Sequence, residues 1–253
     1  MKNIIKDRTP HILGLSEVEL TKNGTEFDEK TLKIPGYTIL FPKSWTVHGF
    51  ARVVVYVNNT LDYVQVSELE DDLTQSIWIK GGFKNSKKIY FCHAYREHTS
   101  TEGKSIATQS QNLTRFLTQW EEAACHNNPT EPNEVHVCGD MNLDALQGRW
   151  LQPDYRLISL SRLVQNICDA NNFSQLVTEA TRLQYNSIRN ITTVSCLDHL
   201  YCNVKFRCSK VTIISAGTSD HDMIFTPGYQ RNLHYQQELM CISARMLIKL
   251  LLH

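Results

Sequence analysis

The feature of this sequence that most constrains its fold is a succession of short apolar runs, each about the length of a β-strand. The densest run extends from Phe50 to Val57 and contains four valines. Runs rich in valine, isoleucine and aromatic residues, bounded by turn residues, predict strands. Further runs of this kind occupy residues 10–16, 36–42, 61–67, 75–81, 87–95, 134–138, 175–178, 197–203, 209–215 and 222–226.

Two segments interrupt the strand pattern with the periodicity of an amphipathic helix. In residues 102–126, the side chains of Leu113, Phe116 and Trp120 fall on one helical face. A second helical pattern covers residues 160–171. Many strands with few helices between them favour two packed sheets flanked by helices. We therefore predict an α+β fold whose core is a two-sheet β-sandwich.

The overall charge limits how such a chain can act on nucleic acid. The 26 Lys and Arg residues balance 26 Asp and Glu residues. This balance argues against a polybasic protein that binds phosphate mainly by releasing counterions. It is compatible with an enzyme, because a bound metal ion and a few local cationic side chains are sufficient to meet a phosphate.

The cysteines and the amino terminus predict an intracellular protein, nuclear or cytoplasmic. None of the eight cysteines is spaced as CxxC. We interpret them as buried free thiols of a reducing compartment, in preference to a disulfide framework or a zinc site. Residues 1–8 lack the apolar core of a signal peptide, so we do not expect secretion. No apolar stretch is long enough to cross a membrane, so no membrane partner is expected.

Polar residues follow several predicted strands, where a sandwich exposes side chains to a shared cleft. Glu17 ends the first predicted strand and offers a carboxylate for a metal ion. A solvated strand end is the commoner explanation of such a residue. Tyr95 and Arg96 end another strand and are suited to contact a phosphate. Each of these two signals is weak by itself.

A stronger signal follows the strand at residues 134–138. Asp140 and Asn142 alternate by two, so both side chains can point the same way. A carboxylate orients or deprotonates a water molecule, and an amide holds that water or a phosphate oxygen. An Asx-rich turn is the structural alternative. An Asp directly after a glycine at a strand end is well exposed, which favours a functional role.

The last polar patch combines Asp198 with Ser219, Asp220 and His221. An Asp in one strand beside a His in the next fixes the imidazole tautomer and favours its protonated form. Such an imidazolium stabilises the transition state of phosphate cleavage. We interpret His199, which follows Asp198, as a structural or surface histidine.

The order of these patches resembles the endonuclease/exonuclease/phosphatase superfamily, from about residue 10 to residue 226. Within it, the chain most resembles the endonuclease domains of non-LTR (LINE-type) retrotransposons. The dipeptide Thr181-Arg182 favours this branch over the phosphatase branches. The other matching motifs are Ser16-Glu17, Tyr95-Arg96, Gly139-Asp140-Met141-Asn142, Leu197-Asp198 and Ser219-Asp220-His221.

The resemblance implies a DNase-I-like four-layer α/β/β/α sandwich that requires Mg²⁺, with Mn²⁺ as a substitute. It implies that Glu17 is the main metal ligand and that Asp220 supports the metal site. It implies that Asp140 activates or positions the attacking water. Asn142 would hold the water or the phosphate, and Tyr95 would contact the phosphate.

The same resemblance implies roles for the remaining matched residues. Asp198 would orient His221, which would stabilise the charge that develops on the phosphate. The substrate-binding residues would be Arg96, Thr181, Arg182 and Ser219.

The sequence departs from the family pattern in four places, among them the replacement of the usual Phe by Met141 and of prolines by Glu97-His98. Family members begin with a strand that carries an active-site Asn, whereas residues 1–10 resemble the helix that follows it. We therefore expect the first strand to be missing. The family also has several glycines where this chain has residues 49–52. We divide the chain into an endonuclease-like domain, 1–228, and a linker or truncated start of a following region, 229–253. In a full-length element, a reverse transcriptase domain would follow.

We predict a metal-dependent phosphodiesterase, specifically a DNA endonuclease that nicks target DNA for retrotransposition. The matched polar residues favour this working enzyme. The missing strand favours the alternative, a catalytically impaired relic or a module that binds nucleic acid or protein without cutting. A phosphatase, or a nuclease for RNA or abasic sites, is less favoured, because the sequence has neither a long basic insertion nor a lipid-phosphate signature.

Overall fold

The structure is a computed structural model that describes residues 10–22, 32–82, 88–97, 105–126, 132–150, 152, 154–204, 211–215 and 219–226. The α-helices of these residues are α1 (Lys43–His48), α2 (Ile106–Cys125) and α3 (Ile158–Asn171). Their strands are β1 (Ile12–Thr21), β2 (Tyr37–Leu40), β3 (Phe50–Asn58), β4 (Asp62–Gln65), β5 (Gln75–Gly82), β6 (Ile89–Tyr95), β7 (Val135–Asp140), β8 (Ser174–Gln175), β9 (Arg182–Asn186), β10 (Ile191–Ser195), β11 (Asp198–Cys202), β12 (Thr212–Ile214) and β13 (Met223–Phe225).

Two sheets packed face to face form the core. One sheet has six strands in the order β4-β5-β6-β7-β11-β8, and the other has three in the order β1-β3-β2. Strands β6 and β7 are parallel, and the other paired strands of these two sheets are antiparallel. The carboxyl ends of β6 and β7 therefore meet at one edge of the sandwich, where Tyr95 pairs with Asp140.

Strand β3 shows why the longest valine run in the chain is continuously apolar. Val53, Val55 and Val57 point into the space between the two sheets. Val54 and Tyr56 belong to a separate cluster on the opposite face of the three-stranded sheet. Side chains alternate along a strand. Because β3 is buried on both faces, the sequence has no polar alternation at these positions.

Helices cover both outer faces of the sandwich. Helices α2 and α3 pack on the six-stranded sheet, where the buried ring of Trp120 lies 4.7 Å from that of Tyr201. Trp45 of α1 packs against the outer face of the three-stranded sheet. The side chain of Ser105 caps α2 by accepting a hydrogen bond from the backbone N–H of Thr108. This arrangement confirms the predicted α+β sandwich with flanking helices.

Two elements were not predicted from the sequence. Helix α1 has six residues, which is too short for a periodic apolar pattern. Strands β9 and β10 form a separate two-stranded hairpin, and all residues from 183 to 194 are exposed. Residues 182–186 alternate polar and apolar side chains over only five positions, and the sequence analysis did not use this short pattern.

Several sequence predictions lie outside the described residues. They are the helix of residues 1–10, except for Pro10, the missing first strand and the region 229–253. None of the described helices combines the length and the apolar composition that a membrane span requires.

The prediction of buried free thiols is wrong for two of the described cysteines. Cys138 is disulfide-bonded. The prediction of a free thiol at this position relied on its burial in a strand, and burial is equally compatible with a disulfide. Cys125 is free but exposed, because it lies at the end of α2. The free cysteines that are buried are Cys92, Cys168, Cys196 and Cys202.

Candidate active site

The ends of three neighbouring strands place the predicted catalytic residues in one row. Asp140, the last residue of β7, pairs in register with Tyr95 of β6 on one side. On its other side it pairs with Asp198, the first residue of β11. Neighbouring strands lie about 4.8 Å apart, and paired side chains share a face of the sheet. His221 reaches this row from the segment before β13, where it forms a β-bridge with Arg182.

Asp198 and His221 form a buried hydrogen-bonded pair. Nδ1 of His221 lies 2.8 Å from Oδ2 of Asp198, and the two residues are 3% and 1% exposed. Burial lowers the pKa of His221, but the hydrogen bond to Asp198 and the charges of Asp198 and Asp140 outweigh it and raise this pKa to about 9. At neutral pH the imidazole is therefore positively charged, and Nδ1–H donates to the carboxylate.

Asp140 completes a cluster of three titratable groups. One ligand atom from each of Asp140, Asp198 and His221 lies within 4.8 Å of the others. Burial and the negative charge of Asp198 raise the pKa of Asp140 to about 8. The charge of Glu17 adds to this shift, and that of His221 opposes it. Asp140 is thus a stronger base than an ordinary aspartate, and it lies where a cation would relieve the repulsion between carboxylates.

Glu17 is directed by an irregularity in β1. Its φ angle is +55°, and the pairing of β1 with β3 shifts register between Ser16 and Leu20. Such a β-bulge re-aims side chains and is common beside active sites. A left-handed conformation of a residue with a side chain costs about 1–3 kcal/mol. The geometry at Glu17 is therefore maintained by the packing around it.

Tyr95 connects Glu17 to the strand ends. Its hydroxyl donates a 3.1 Å hydrogen bond to Oε1 of Glu17. Burial and the charge of Glu17 raise the pKa of Tyr95 to about 12, so the hydroxyl keeps its proton. Tyr95 thus links Glu17 to the strand end at which Asp140 lies.

The carboxylates at this edge form a donor set that fits a magnesium ion. Asp140 and Asp198 belong, with His221, to a group of side chains that could hold a metal ion, and the charge of Glu17 also acts on Asp140. Mg²⁺ prefers hard oxygen ligands such as these carboxylates. Asp220, which was expected to support the metal site, directly precedes His221 and pairs with a cation. Its Oδ2 is 3.0 Å from Nε of Arg182, in an ion pair beside the cluster.

The turn after β7 is held in place by hydrogen bonds to Asp140 and Arg96. Asn142 has a φ angle of +47°, which asparagine tolerates. Its backbone N–H donates to Oδ1 of Asp140 at 2.8 Å, and its side-chain amide donates to the carbonyl of Arg96 at 2.7 Å. The guanidinium of Arg96 donates in turn to the carbonyls of Met141 and Asn142 and to the side chain of Gln109. Arg96 therefore holds this turn against β6.

Thr181 and Ser219 hold the backbone around the Asp–His pair. The buried hydroxyl of Thr181 accepts hydrogen bonds from the backbone N–H groups of Leu197 and Asp198, each at 3.0 Å. The hydroxyl of Ser219 accepts from the backbone N–H of His221 at 3.1 Å. These hydrogen bonds fix the backbone of Asp198 and of His221.

His199 lies close to the cluster but is structural. Its two ring nitrogens bond the hydroxyl of Tyr201 and the carbonyls of Leu143 and Cys196. Burial lowers its pKa to about 4, so the ring is neutral. This agrees with its interpretation from the sequence as a histidine without a catalytic role.

Sequence reasoning missed one charged residue at this edge, Arg52 of β3. Its guanidinium carbon lies 5.2 Å from the ring centroid of Tyr95. The signal in the sequence was a single cation inside the apolar run of residues 50–57. No motif accompanies it, so its proximity to Tyr95 depended on the packing of the two sheets.

The β9–β10 hairpin projects beside the cluster. It starts at Arg182, which bridges to His221, and it ends three residues before Asp198. Its tip and flanks expose apolar side chains, most of all Ile188, which is 95% exposed. Contiguous exposed apolar side chains mark interaction surfaces. The hairpin is therefore placed to contact whatever enters the cleft.

Solved structures of nucleases share this fold. The endonuclease domain of TRAS1, a telomere-specific non-LTR retrotransposon, has a TM-score of 0.58 and 13% identity over 88% of this chain and 100% of that chain. The AP endonuclease LMAP from Leishmania major has a TM-score of 0.62 and 13% identity over 87% and 78% of the two chains. An endonuclease/exonuclease/phosphatase family protein from Leptotrichia buccalis has a TM-score of 0.50 and 14% identity over 90% of each chain.

No protein-family model matches the sequence, and the search of curated proteins gives no match. At these identities, the likeness to solved structures shows the fold. It is the endonuclease/exonuclease/phosphatase fold, as the order of the sequence motifs predicts.

Proposed function

We propose that this chain, which has the endonuclease/exonuclease/phosphatase fold, is a metal-dependent phosphodiesterase that nicks DNA. The observation that carries the proposal is the cluster of Asp140, Asp198 and His221, whose ligand atoms lie within 4.8 Å of one another at the strand ends. It combines a basic carboxylate with a charged imidazole. Cleavage of a phosphodiester needs both a base for water and a donor for the developing negative charge.

We assign the metal ion to the oxygen atoms of the Glu17 carboxylate, which leaves Asp140 available as the base for water. Mg²⁺ is the ion that best suits these oxygen donors, and Mn²⁺ is a substitute. When bound, the ion polarises a phosphate oxygen and orients the substrate as a Lewis acid. Because Asp220 pairs with Arg182, we assign it to positioning of the hairpin base and not to the metal.

The protein's own groups divide the remaining work. Asp140 accepts the proton of the attacking water, and Asn142, on the braced turn, holds that water or a phosphate oxygen. His221, kept charged by Asp198, donates a hydrogen bond from Nε2 to the phosphate. Tyr95 orients Glu17 through its hydroxyl. We assign Arg96, Thr181 and Ser219 to positioning, because their hydrogen bonds hold the backbone of the site.

DNA is the substrate that best suits the surroundings of the cluster. The hairpin extends the cleft beyond one phosphate, since residues 183–194 are all exposed. Arg182 supplies a cation at its base. The structural likeness to a retrotransposon endonuclease domain and to an AP endonuclease supports DNA over a small phosphate ester. The retrotransposon domain in particular supports nicking of target DNA for retrotransposition.

Nicking of supercoiled plasmid by the purified chain tests this proposal. We expect nicking with Mg²⁺ and none with a chelator. Asp140→Ala and His221→Ala should each lower the rate at least about 100-fold. Asp62→Ala is the matched control, because Asp62 is a surface carboxylate at the start of β4 that pairs with Lys88.

Equal nicking by the wild type and all three variants would mean a contaminating nuclease and a wrong site assignment. A folded wild type that binds duplex DNA but never nicks it would favour the other candidate, a module that binds without cutting. The exposed apolar hairpin is the observation that favours this second function.

A further inference from the structure

We propose that Arg52 binds a phosphate of the DNA backbone at the edge of the catalytic cleft, next to the phosphate that is cleaved. The inference rests on the proposed function and extends it to a residue that none of the sequence motifs contains. Four features of Arg52 support it: its neighbours, its incomplete hydrogen bonding, its rigid placement and its accessible charge.

Arg52 lies within two hydrogen bonds of the proposed metal ligand. Its guanidinium stacks on the ring of Tyr95, with the carbon 5.2 Å from the ring centroid. Its Nη2 lies 3.4 Å from the hydroxyl of Tyr95, and that hydroxyl donates to Glu17. A phosphate held by Arg52 would therefore lie beside the one that Glu17 and Asp140 serve.

The donors of Arg52 are poorly satisfied. A guanidinium has five N–H donors. Nη1 and Nη2 each make a contact of 3.4 Å, to Glu19 and to Tyr95, and this length is near the upper limit for hydrogen bonds. Nε is buried and has no hydrogen-bond partner in the described part of the chain. Because Nε is buried, a substrate phosphate would be bound by Nη1 and Nη2, whose present contacts are long.

The position of Arg52 is fixed before any ligand arrives. Its backbone N–H donates to Oε1 of Gln75 at 2.8 Å. Nε2 of Gln75 donates in turn to the hydroxyl of Ser44 at 2.9 Å. The ring of Tyr95 supports the guanidinium plane. A preorganised planar fork is the geometry that binds phosphate oxygens in pairs.

The charge of Arg52 is available to a ligand. Glu19 is the carboxylate paired with it, and the Glu19 side chain is 76% exposed, whereas that of Arg52 is 20% exposed. Exposed ion pairs contribute about 0–1 kcal/mol, so a phosphate displaces Glu19 at small cost. Besides the imidazolium of His221, Arg52 is a cation at this edge, and its place on the ring of Tyr95 suits a phosphate next to the one that is cleaved.

The competing explanation is that Arg52 only supports the ring of Tyr95. Arg52→Met separates the two roles, because a methionine stem still packs on the ring but carries no charge. Binding of labelled duplex DNA is measured in a chelator, so that cleavage plays no part. Salt is varied from about 50 to 200 mM, because phosphate contacts give the affinity its salt dependence.

We expect Arg52→Met to weaken DNA binding about tenfold and to lower the salt slope by about one. Arg52→Lys should keep the salt slope and part of the affinity. Arg115→Met is the matched control. Arg115 is a half-exposed arginine of α2 that pairs with Asp71, and its loss should change neither quantity.

If the wild type binds and nicks DNA while Arg52→Met keeps the affinity and the salt slope, this inference is wrong and the proposed function stands. If the wild type neither binds nor nicks DNA, both are wrong. If Arg52→Met does not fold, Arg52→Gln replaces it, since glutamine keeps polar atoms near Tyr95 and Glu19. An unchanged salt slope in that variant also overturns the inference.

Discussion

At the scale of single residues, Asp198 controls the protonation of both other members of the cluster. Its carboxylate raises the pKa of His221 to about 9, against the effect of burial. After burial, it is also the largest cause of the raised pKa of Asp140, about 8. The negative charge of Asp198 therefore raises the pKa of both neighbours, which favours a protonated His221 and makes Asp140 more basic than an ordinary aspartate.

The first prediction concerns the pH dependence of stability in the metal-free protein. Both pKa values lie above the ordinary 6.5 of histidine and 3.8 of aspartate, so the folded state binds these protons more tightly than the unfolded state. The stabilisation is complete below the unfolded pKa of each group. It is lost as the pH rises through about 8 for Asp140 and about 9 for His221.

Thermal unfolding from pH 6.5 to 9 in a chelator measures this loss. We expect the Tm of the wild type to fall over this range, by roughly 2–4 °C for each kcal/mol lost. In Asp198→Asn the fall should be smaller. His136 also has a pKa raised to about 9, through Cys202 and Glu134 despite burial, but it contributes equally in both proteins. Parallel curves for the two proteins would contradict the assignment to Asp198.

Single residues also show what the sequence made predictable. Asp140, Asp198 and His221 were found because each sits in a short motif at the end of an apolar strand, and strand ends meet at sheet edges. Arg52 was not found, because only the packing of β3 against β6 brings it to Tyr95. The contacts of Arg96 were also unpredictable, since a guanidinium at a strand end serves a phosphate or a backbone carbonyl equally well.

At the scale of elements, the parallel pairing of β6 and β7 depends on Gly139. Its φ angle is +146°, and an added Cβ would lie 1.8 Å from the carbonyl oxygen of Ala94 in β6. No side chain fits between the two strands at this point. The glycine that precedes Asp140 therefore serves the close pairing of the two strands. The expectation that it exposes the carboxylate is wrong, because Asp140 is 1% exposed.

The second prediction is that Gly139→Ala lowers the free energy of unfolding by more than about 3 kcal/mol or prevents folding, because β6 and β7 must separate. The control is Gly36→Ala. Gly36 has a φ angle of +82° but no atom within 4 Å of an added Cβ, so we expect only the backbone cost of about 1 kcal/mol. Urea unfolding compares the two, and equal losses would show that the close approach to Ala94 is unimportant.

The third prediction concerns the β9–β10 hairpin. Ile188→Ser with Tyr185→Ser should leave the Tm nearly unchanged, because these side chains are 95% and 62% exposed. The KM for plasmid nicking should rise several-fold, because apolar contacts to DNA are lost. Val47→Ser in α1, at 53% exposure, is the control. An unchanged KM in the hairpin variant would show that the hairpin does not contact DNA.

The elements that the sequence predicted are those with a buried face. Apolar runs gave most strands of the two sheets, and apolar periodicity gave α2 and α3. Helix α1 was missed because six residues are too few for a period. The hairpin was missed because its two strands have five residues each and bury no face, so they contain no apolar run like those of the two sheets.

At the scale of the whole molecule, the formal net charge of +0 leaves the binding of the proposed DNA substrate to local groups of charges. The carboxylates around Asp140 repel one another in the folded protein, as its raised pKa shows. A cation that binds there stabilises the folded state by RT ln(1 + [L]/Kd). Metal binding is therefore measurable from global stability, independently of nicking.

The fourth prediction is that Mg²⁺ raises the Tm of the wild type by about 3–6 °C at a concentration about tenfold above its Kd. In Glu17→Gln, which keeps the shape of the side chain, the increase should be small. Ca²⁺ serves as a comparison ion with the same preference for oxygen. Equal increases in the wild type and the variant would remove Glu17 from the metal site.

The exposure of the hairpin has a consequence for how such a protein diversifies. Residues 183–194 contribute almost nothing to the core, while Arg182 and Ser195 anchor the two ends beside the cluster. Residues 183–194 can therefore be exchanged for another hairpin without disturbing the core or the two anchor residues. Under the proposed function, a grafted hairpin of different shape and sequence between the same two anchors would change which DNA is bound and leave the cluster of Asp140, Asp198 and His221 as it is.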